Sequence, residues 1–478
     1  MNYRMIKHTL GWVLNIEGAS MLLPLVCAFI YKENCVWVFS VCILLCVLMG
    51  TLLVVKPPKN KTMYSRDGFI IVALSWITMS IFGSLPFVIS GYIPNFIDAL
   101  FETVSGFTTT GASILTDIEA LPKSLVFWRS FTHWIGGMGV IVFLVAILPL
   151  SGGGNMYLIK AESTGPAVSK LVPKVRSTAK LLYGIYISLT IIEIILLLVG
   201  GASVFDALTL SFGTAGTGGF GVRNSSVAEY SPYIQNVITV FMIIFGIDFS
   251  LYYLIIMKKW KLAFKSEEAR AYLGIIAVSI IIICFNCREL FSSFGETLRH
   301  AAFQVGSIIT TTGYATTDFN KWPELSKAIL VMLMFVGACA GSTGGGIKVS
   351  RILILLKSIV KEVKIAAHPR STHKIKMNSR VVEHETVRAV NVFIASYLVI
   401  FVFSVLIISL DNADFTTNFT AVIATLNNIG PGLAKVGPVE NFSFYSPLST
   451  IVLTLNMLIG RLEIFPMLIL FSPYTWRK

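Results

Sequence analysis

The sequence predicts an all-α membrane protein. It has ten transmembrane helices, four helix–re-entrant pore loop–helix repeats around a pseudo-fourfold central pore, and an N-terminal two-helix extension. Three observations predict this architecture. The chain is 55% hydrophobic and 13% charged, with mean hydropathy +0.77, whereas a soluble domain averages about 25% charged residues. Apolar runs of spanning length recur from end to end. Between them, four short Gly-bearing loops occupy equivalent slots: Thr109-Thr110-Gly111-Ala112, Gly218-Gly219-Phe220, Thr311-Thr312-Gly313-Tyr314 and Asn428-Ile429-Gly430-Pro431.

Runs of about 20 residues suffice to span. They fall near 11–31, 36–55, 69–91, 125–149, 180–200, 233–257, 271–287, 325–357, 387–410 and 446–471. The first two form a hairpin with an outward turn at Lys32-Glu33-Asn34. Arg4 and Lys7 precede the first run, but no small-residue cleavage site follows Ile30 and a second span begins at once. That run reads as a retained anchor rather than a cleaved leader.

The other eight runs group as four pairs. Between the members of each pair lies a segment too short to cross: 96–107, 204–212, 294–309 and 415–426. Each leads directly into one of the Gly loops, so the repeating unit is span, half-helix, loop, span. The expected boundaries are 1–66 for the hairpin and 67–178, 179–268, 269–380 and 381–478 for the four pore repeats. The 325–357 run is exceptional, because Gly341-Ser342-Thr343-Gly344-Gly345-Gly346 interrupts it before Ile347-Lys348. Three consecutive glycines do not favour a continuous helix, and a hinge or loop is expected over 337–348.

Charge placement sets the topology. The net charge is +13, and Lys and Arg cluster at 56–66, 160–180, 258–270 and 348–388, between alternate runs. The complementary loops carry Glu33, Asp98, Asp117, Glu119, Glu229, Asp318, Asp411, Asp414 and Glu440. This is the positive-inside pattern. It places both termini in the cytoplasm and argues against a nucleic-acid partner. The seven cysteines lie mostly in apolar runs. Cys284 and Cys287 form a CxxC without a second pair, which reads as small packing residues rather than a metal or redox site.

The loops carry the chemistry. Backbone at membrane depth is tolerated only when buried in protein or lining a water-filled path. Carbonyls around such a path can replace the hydration shell of a cation. Stacking carbonyls toward one axis requires alternating backbone handedness, which Gly adopts without steric penalty. Thr108–Thr110 and Thr310–Thr312 add hydroxyls that ligand or buttress. One such loop would read as a Gly-Thr helix-packing contact; four in equivalent slots read as one pore.

The motifs Phe107-Thr108-Thr109-Thr110-Gly111, His133-Trp134-Ile135-Gly136-Gly137-Met138-Gly139, the stretch 337–348 and Gly460-Arg461-Leu462-Glu463 resemble the Trk/Ktr/HKT superfamily of potassium transporters. The resemblance covers nearly the whole chain, and the two extra N-terminal spans are similar to the TrkH-type membrane subunit. It implies potassium uptake across the bacterial cytoplasmic (inner) membrane. It also implies that Gly111, Gly219, Gly313 and Gly430 are filter glycines, flanked by Thr109, Thr110, Gly218, Thr311, Thr312, Asn428 and Ile429. K+ would sit at Thr110, Gly111, Thr312, Gly313, Ile429 and Gly430. Gly341, Ser342, Thr343, Gly344, Gly345, Gly346 and Arg461 would form the gate. The implied partners are a second copy of the chain, a cytosolic nucleotide-binding TrkA-type subunit and membrane lipid. No organic cofactor is expected in this chain. The alternative within the same superfamily is sodium translocation.

Several residues keep two readings. Arg461 is a structural ion-paired or carbonyl-bonded residue, or a barrier to cations. His133 is a proton shuttle or a hydrogen-bonded structural residue. Glu193 and Asp248 relay protons or hold a neighbouring helix. Asp98, Glu102, Asp206 and Asp318 concentrate cations at the outer mouth, or are solvated loop acids. The basic stretch 361–388 docks a partner, or sets topology and meets anionic lipid. The stretch Gly341-x4-Gly346-Ile347-Lys348 fails the phosphate-loop motif, which needs Lys directly after Gly and Ser/Thr after Lys. The six histidines are scattered, so no enzyme active site is expected.

Overall fold

The computed structural model describes residues 2–56, 58, 64–137, 139, 175–369 and 373–476. In chain order the helices are α1 (Tyr3–Ser20), α2 (Leu22–Ile30), α3 (Val36–Val54), α4 (Ser65–Ser90), α5 (Phe96–Phe107) and α6 (Lys123–Gly137). Next come α7 (Val175–Val199), α8 (Val204–Gly216), α9 (Pro232–Phe245), α10 (Phe249–Ile256), α11 (Trp260–Phe264), α12 (Glu267–Asn286) and α13 (Phe294–Ile309). The last are α14 (Glu324–Val336), α15 (Val349–Ala367), α16 (His384–Ile408), α17 (Phe415–Leu426), α18 (Pro447–Arg461), α19 (Phe465–Phe471) and α20 (Pro473–Trp476). A two-stranded hairpin, β1 (Lys376–Met377) and β2 (Arg380–Val381), precedes α16.

Among the described residues, six helical stretches are long and apolar enough to cross a membrane. They are Tyr3–Ile30, Val36–Val54, Arg66–Ser90, Lys180–Val199, Glu267–Asn286 and His384–Asp411. The remaining expected spans differ in an informative way. The 233–257 run bends by 91° between α9 and α10, where Gly246 ends one helix and Asp248 caps the next through Ser250 N–H at 2.8 Å. The 325–357 run is broken between α14 and α15, as its glycines predict. The 446–471 run breaks at 462–464, where Glu463 (φ +56°) and Ile464 (φ +71°) leave the helical region. The 125–149 run is seen as far as Gly137. Apart from Gly139, its remainder, and the basic stretch 160–174, lie outside the described residues, as does most of the basic stretch 57–63.

In the N-terminal hairpin, α1 and α3 approach through glycines. A Cβ on Gly11 would meet the Gly50 carbonyl oxygen at 2.6 Å, and one on Gly50 would meet the Gly11 carbonyl oxygen at 2.8 Å. Such small-residue contacts let membrane helices pack backbone to backbone. The hairpin also grips the rest of the molecule. Glu33 in its turn accepts Lys123 N–H at 2.6 Å and Ser124 N–H at 3.1 Å, capping the start of α6.

The short helices α5, α8, α13 and α17 occupy the interior. Their last two turns are almost wholly buried. Each begins with a side-chain cap that satisfies an otherwise unpaired N–H: Asn95 to Ile97, Ser203 to Asp206, Ser293 to Glu296 and Asp414 to Thr417. Their carbonyl ends, which carry partial negative charge, run into the Gly loops.

Candidate ion pathway

The four loops share one backbone geometry. Each half-helix ends in a bond from an N–H to the carbonyl five residues earlier. These run Thr110 to Ser105 (2.9 Å), Gly218 to Gly213, Thr312 to Ser307 and Ile429 to Ala424 (all 2.8 Å). This is the bond of a Schellman ending, and it needs a left-handed residue just before. That residue is Thr109 (φ +54°), Thr217 (+55°), Thr311 (+60°) or Asn428 (+56°). Two residues later comes a left-handed glycine: Gly111 (+80°), Gly219 (+77°), Gly313 (+86°) or Gly430 (+100°). The expected alternation of handedness is present in all four loops. A β-branched residue in the left-handed region is strained by about 1–3 kcal/mol, and three of the four loops hold a Thr there.

The loops also meet one another in cyclic order. A Cβ on Gly111 would collide with the Gly218 carbonyl oxygen, one on Gly219 with that of Thr312, and one on Gly313 with that of Ile429. A Cβ on Gly430 would come within 2.7 Å of the Thr110 carbonyl oxygen, which closes the ring back on the first loop. Each glycine thus lies against the carbonyl that precedes the glycine of the next loop.

Around this ring the hydroxyls buttress. Thr108 pairs with Thr110 at 2.8 Å, and Thr310 with Thr312 at 2.7 Å. Asn428 Nδ2 donates to Thr110 Oγ1 and to the Met457 carbonyl on α18, both at 2.9 Å.

One face of α6 holds the second loop. His133 Nδ1 lies 2.9 Å from the Gly106 carbonyl, and Nε2 accepts Phe220 N–H at 3.2 Å. These partners fix a neutral ring protonated on Nδ1, so of the two readings of His133 the structure favours the hydrogen-bonded structural one. One turn earlier, Arg129 stacks 3.5 Å above the Phe220 ring and donates to the Gly221 carbonyl at 3.2 Å. Its charge is met by Glu102 at 2.5 Å, and both side chains are buried. Glu102 is therefore a paired interior acid, not an acid of the outer mouth. Burying the pair isolates both charges from water, which is tolerable only because each is matched and hydrogen-bonded.

The 337–348 stretch lies against the ring where the half-helices α13 and α17 end. A Cβ on Gly344 would meet the Thr310 carbonyl at 2.9 Å, and one on Gly345 the Asn427 carbonyl at 2.6 Å. Gly345 N–H donates to Thr311 Oγ1 at 2.7 Å. The stretch is pinned from the side as well. Cys339 N–H bonds the Gly246 carbonyl, and Phe249 N–H bonds the Gly341 carbonyl, each at 3.1 Å. The breaks in 233–257 and 325–357 therefore satisfy each other's backbone.

Arg461, 8% exposed, donates from Nη1 to the Thr343 carbonyl at 2.8 Å and from Nη2 to the Gly136 carbonyl at 2.7 Å. It is carbonyl-bonded and also touches the interrupted stretch, so both readings of it meet at one place. Lys348 Nζ donates to the Gly344 carbonyl. Arg351 pairs with Glu463 at 2.5 Å and lies 4.0 Å over the Phe393 ring.

Asp248 caps α10 and accepts Ser250 Oγ at 2.5 Å, and its carboxylate also faces the interrupted stretch, where a Cβ on Gly341 would meet Oδ1 at 2.7 Å. Glu193 is fully buried on α7. Asp98, Asp206 and Asp318 are half-buried at the starts of helices or turns. The Asn224 side chain at 2.8 Å holds the Asp117 carboxyl below its usual range, and Ser225 and Arg223 do so for Glu229. The Cys284–Cys287 pair is buried, with Cys287 against Ser326 Oγ at 3.2 Å.

Sequence reasoning gave no role in this assembly to Thr217, Arg129 or Glu463. Thr217 was recoverable from register, lying two residues before Gly219 as Thr109 does before Gly111. Arg129 and Glu463 are charges whose partners, Glu102 and Arg351, are distant in sequence, so no local pattern marks them.

Residues 37–477 match the model of the TrkH family, described as a cation transport protein. Over the full length of both chains, this chain is 37% identical to the Trk system potassium uptake protein TrkH of Salmonella typhimurium and 38% identical to that of Vibrio parahaemolyticus. It is 34% identical to the Trk system potassium uptake protein TrkG of Escherichia coli, over 99% of each chain. The crystal structure of the potassium transporter TrkH from Vibrio parahaemolyticus superposes with a TM-score of 0.89 at 34% identity, covering all of both chains.

Proposed function

This chain belongs to the TrkH family of cation transport proteins, a transporter rather than an enzyme family, and from that premise we propose that it takes up potassium through the ring of Gly111, Gly219, Gly313 and Gly430. The observation that carries the proposal is the cyclic contact of each glycine with the carbonyl of the next loop. Such a ring brings backbone oxygens around one axis, where they substitute for water around a dehydrated cation. The carbonyls proposed to contact K+ are those of Thr110, Gly218, Thr312 and Ile429, with the four glycines completing the sites. The carbonyl ends of four half-helices add favourable potential for a cation.

In this reading the 337–348 stretch is the gate and Arg461 is its electrostatic barrier, since the stretch lies against the ring and Arg461 is bonded to it. The chain would comprise the hairpin 1–66 and four pore units at 67–178, 179–268, 269–380 and 381–478, with ten spans in all. The basic loops place both termini in the cytoplasm of a bacterial inner membrane. The named relatives are components of a Trk system. We extend this to a homodimer that docks a nucleotide-binding TrkA-type subunit on its basic face.

The test is the reversal potential of the purified protein in a planar bilayer under opposed potassium and sodium gradients. A value that tracks potassium supports the proposal. A value that tracks sodium supports the sodium-translocating alternative and overturns it. Varying pH at fixed potassium separates a channel, whose value stays constant, from proton-coupled transport.

A further inference from the structure

Two adjacent glutamates open α12, and each holds a different structure. Glu268 Oε1 accepts Ala340 N–H at 2.7 Å and Ser350 N–H at 3.0 Å. Ala340 immediately precedes the glycine-rich stretch 341–346, and Ser350 lies in the first turn of α15. One carboxylate oxygen on a separate helix therefore ties together both ends of the interrupted segment.

Glu267 holds the β-hairpin. It accepts Asn378 N–H at 3.0 Å, while its own N–H donates to Asn378 Oδ1 at 2.8 Å. It also pairs with Lys357 on α15, whose Nζ reaches the Lys376 carbonyl at 2.8 Å. Asn378 (φ +50°) and Ser379 (φ +64°) form the two-residue turn of the hairpin. Left-handed geometry at both central positions is the I′ turn that matches strand twist. The hairpin is thus a stiff unit. Lys374, Lys376 and Arg380 on it are exposed, and so is Val381.

We propose that Glu267 and Glu268 couple this hairpin to the intramembrane stretch. Displacing the hairpin pulls on Glu267, shifts the start of α12 and withdraws Glu268 from Ala340 and Ser350. With both ties gone, the stretch keeps its bonds to Gly246, Phe249, Thr311 and Arg461 but is held less tightly against the carbonyl ends of α13 and α17. The basic, exposed hairpin suits capture by an acidic protein surface. The proposal rests on the reading of 337–348 as a gate. It adds the positioning residue that holds the gate shut and the handle that releases it.

The experiment measures basal rubidium flux into proteoliposomes with the purified full-length chain. Glu268→Ala raises flux about fivefold or more, the lower end of ordinary coupling between sites. Glu268→Gln stays near the parent level, because its amide oxygen still accepts both N–H groups. Glu267→Ala and Asn378→Gly raise flux in the parent background and add nothing in the Glu268→Ala background. A spin label on Ser342→Cys, selective because the native cysteines are buried, gains mobility with Asn378→Gly.

Additive effects, or a Glu268→Gln flux equal to that of Glu268→Ala, overturn the coupling. Should Glu268→Ala not fold, the label and the Glu267→Ala and Asn378→Gly variants still decide: no gain in mobility and no gain in flux overturn it. Deletion of Gly344-Gly345 is the control. If the deletion leaves flux unchanged, the gate reading itself fails. If it raises flux while Glu268→Ala, Glu267→Ala and Asn378→Gly are silent, only the coupling fails.

Discussion

A methyl group on any of the four ring glycines has no room, and the backbone there is left-handed. Gly313→Ala would combine a collision with the Ile429 carbonyl oxygen and strain at φ +86°. We expect potassium flux to fall by at least about tenfold, the effect of roughly 1.4 kcal/mol on a barrier, with the protein still folded by size-exclusion profile. Gly274 is the comparison residue, since nothing lies within 4 Å of a Cβ there; Gly274→Ala should leave flux unchanged. The Gly positions were legible in the sequence because they recur in register. Their neighbours were legible only in part. Thr109 and Thr311 read as hydroxyls that ligand or buttress, whereas their distinctive property is a left-handed backbone, which composition does not reveal. Glu102 read as an acid of the mouth because nothing in its helix announces Arg129, 27 residues on.

Short buried helices need their caps more than long spans do, since they contain few internal hydrogen bonds. Asp414 caps α17 through Thr417 N–H at 3.0 Å and Thr417 Oγ1 at 2.5 Å. The side-chain bond from Thr417 holds its carboxyl below the usual range. The cap's contribution of about 1 kcal/mol is therefore fully present at neutral pH and is lost as pH falls through the lowered folded value. Asp414→Ala should lower the thermal midpoint in detergent at neutral pH, and the difference from the parent should shrink under strong acid.

Arg461→Ala removes two bonds to the Thr343 and Gly136 carbonyls. It should raise cation flux; unchanged or reduced flux in folded protein would contradict its barrier role. At this scale the half-helices were legible because they are too short to cross. The break in 325–357 was legible from its glycines. The bends at 246–248 and 462–464 were not, because apolar runs continue through them and only tertiary partners satisfy the broken backbone. Gly246, for example, gives its carbonyl to Cys339.

Across the whole molecule, near-symmetry and asymmetry divide the work. Four similar half-helices lead into the ring, while in the proposed division the third unit supplies the interrupted stretch and the fourth supplies Arg461 and Glu463. The N-terminal hairpin joins this assembly through Glu33 at the start of α6, the helix that carries Arg129 and His133. Glu33→Ala should therefore lower the thermal midpoint without moving the reversal potential, because it touches no part of the ring. The helical membrane architecture was legible from the hydrophobic runs. Unit-to-unit contacts were not, since they join residues far apart, such as Gly430 and Thr110.

In the proposed function the four loops form one cation site on a common axis. Anomalous diffraction from crystals soaked in rubidium tests it most directly. A peak is expected on the axis, within coordination distance of the carbonyl oxygens of Thr110, Gly218, Thr312 and Ile429. Rubidium bound elsewhere, with no peak inside the ring, would contradict it.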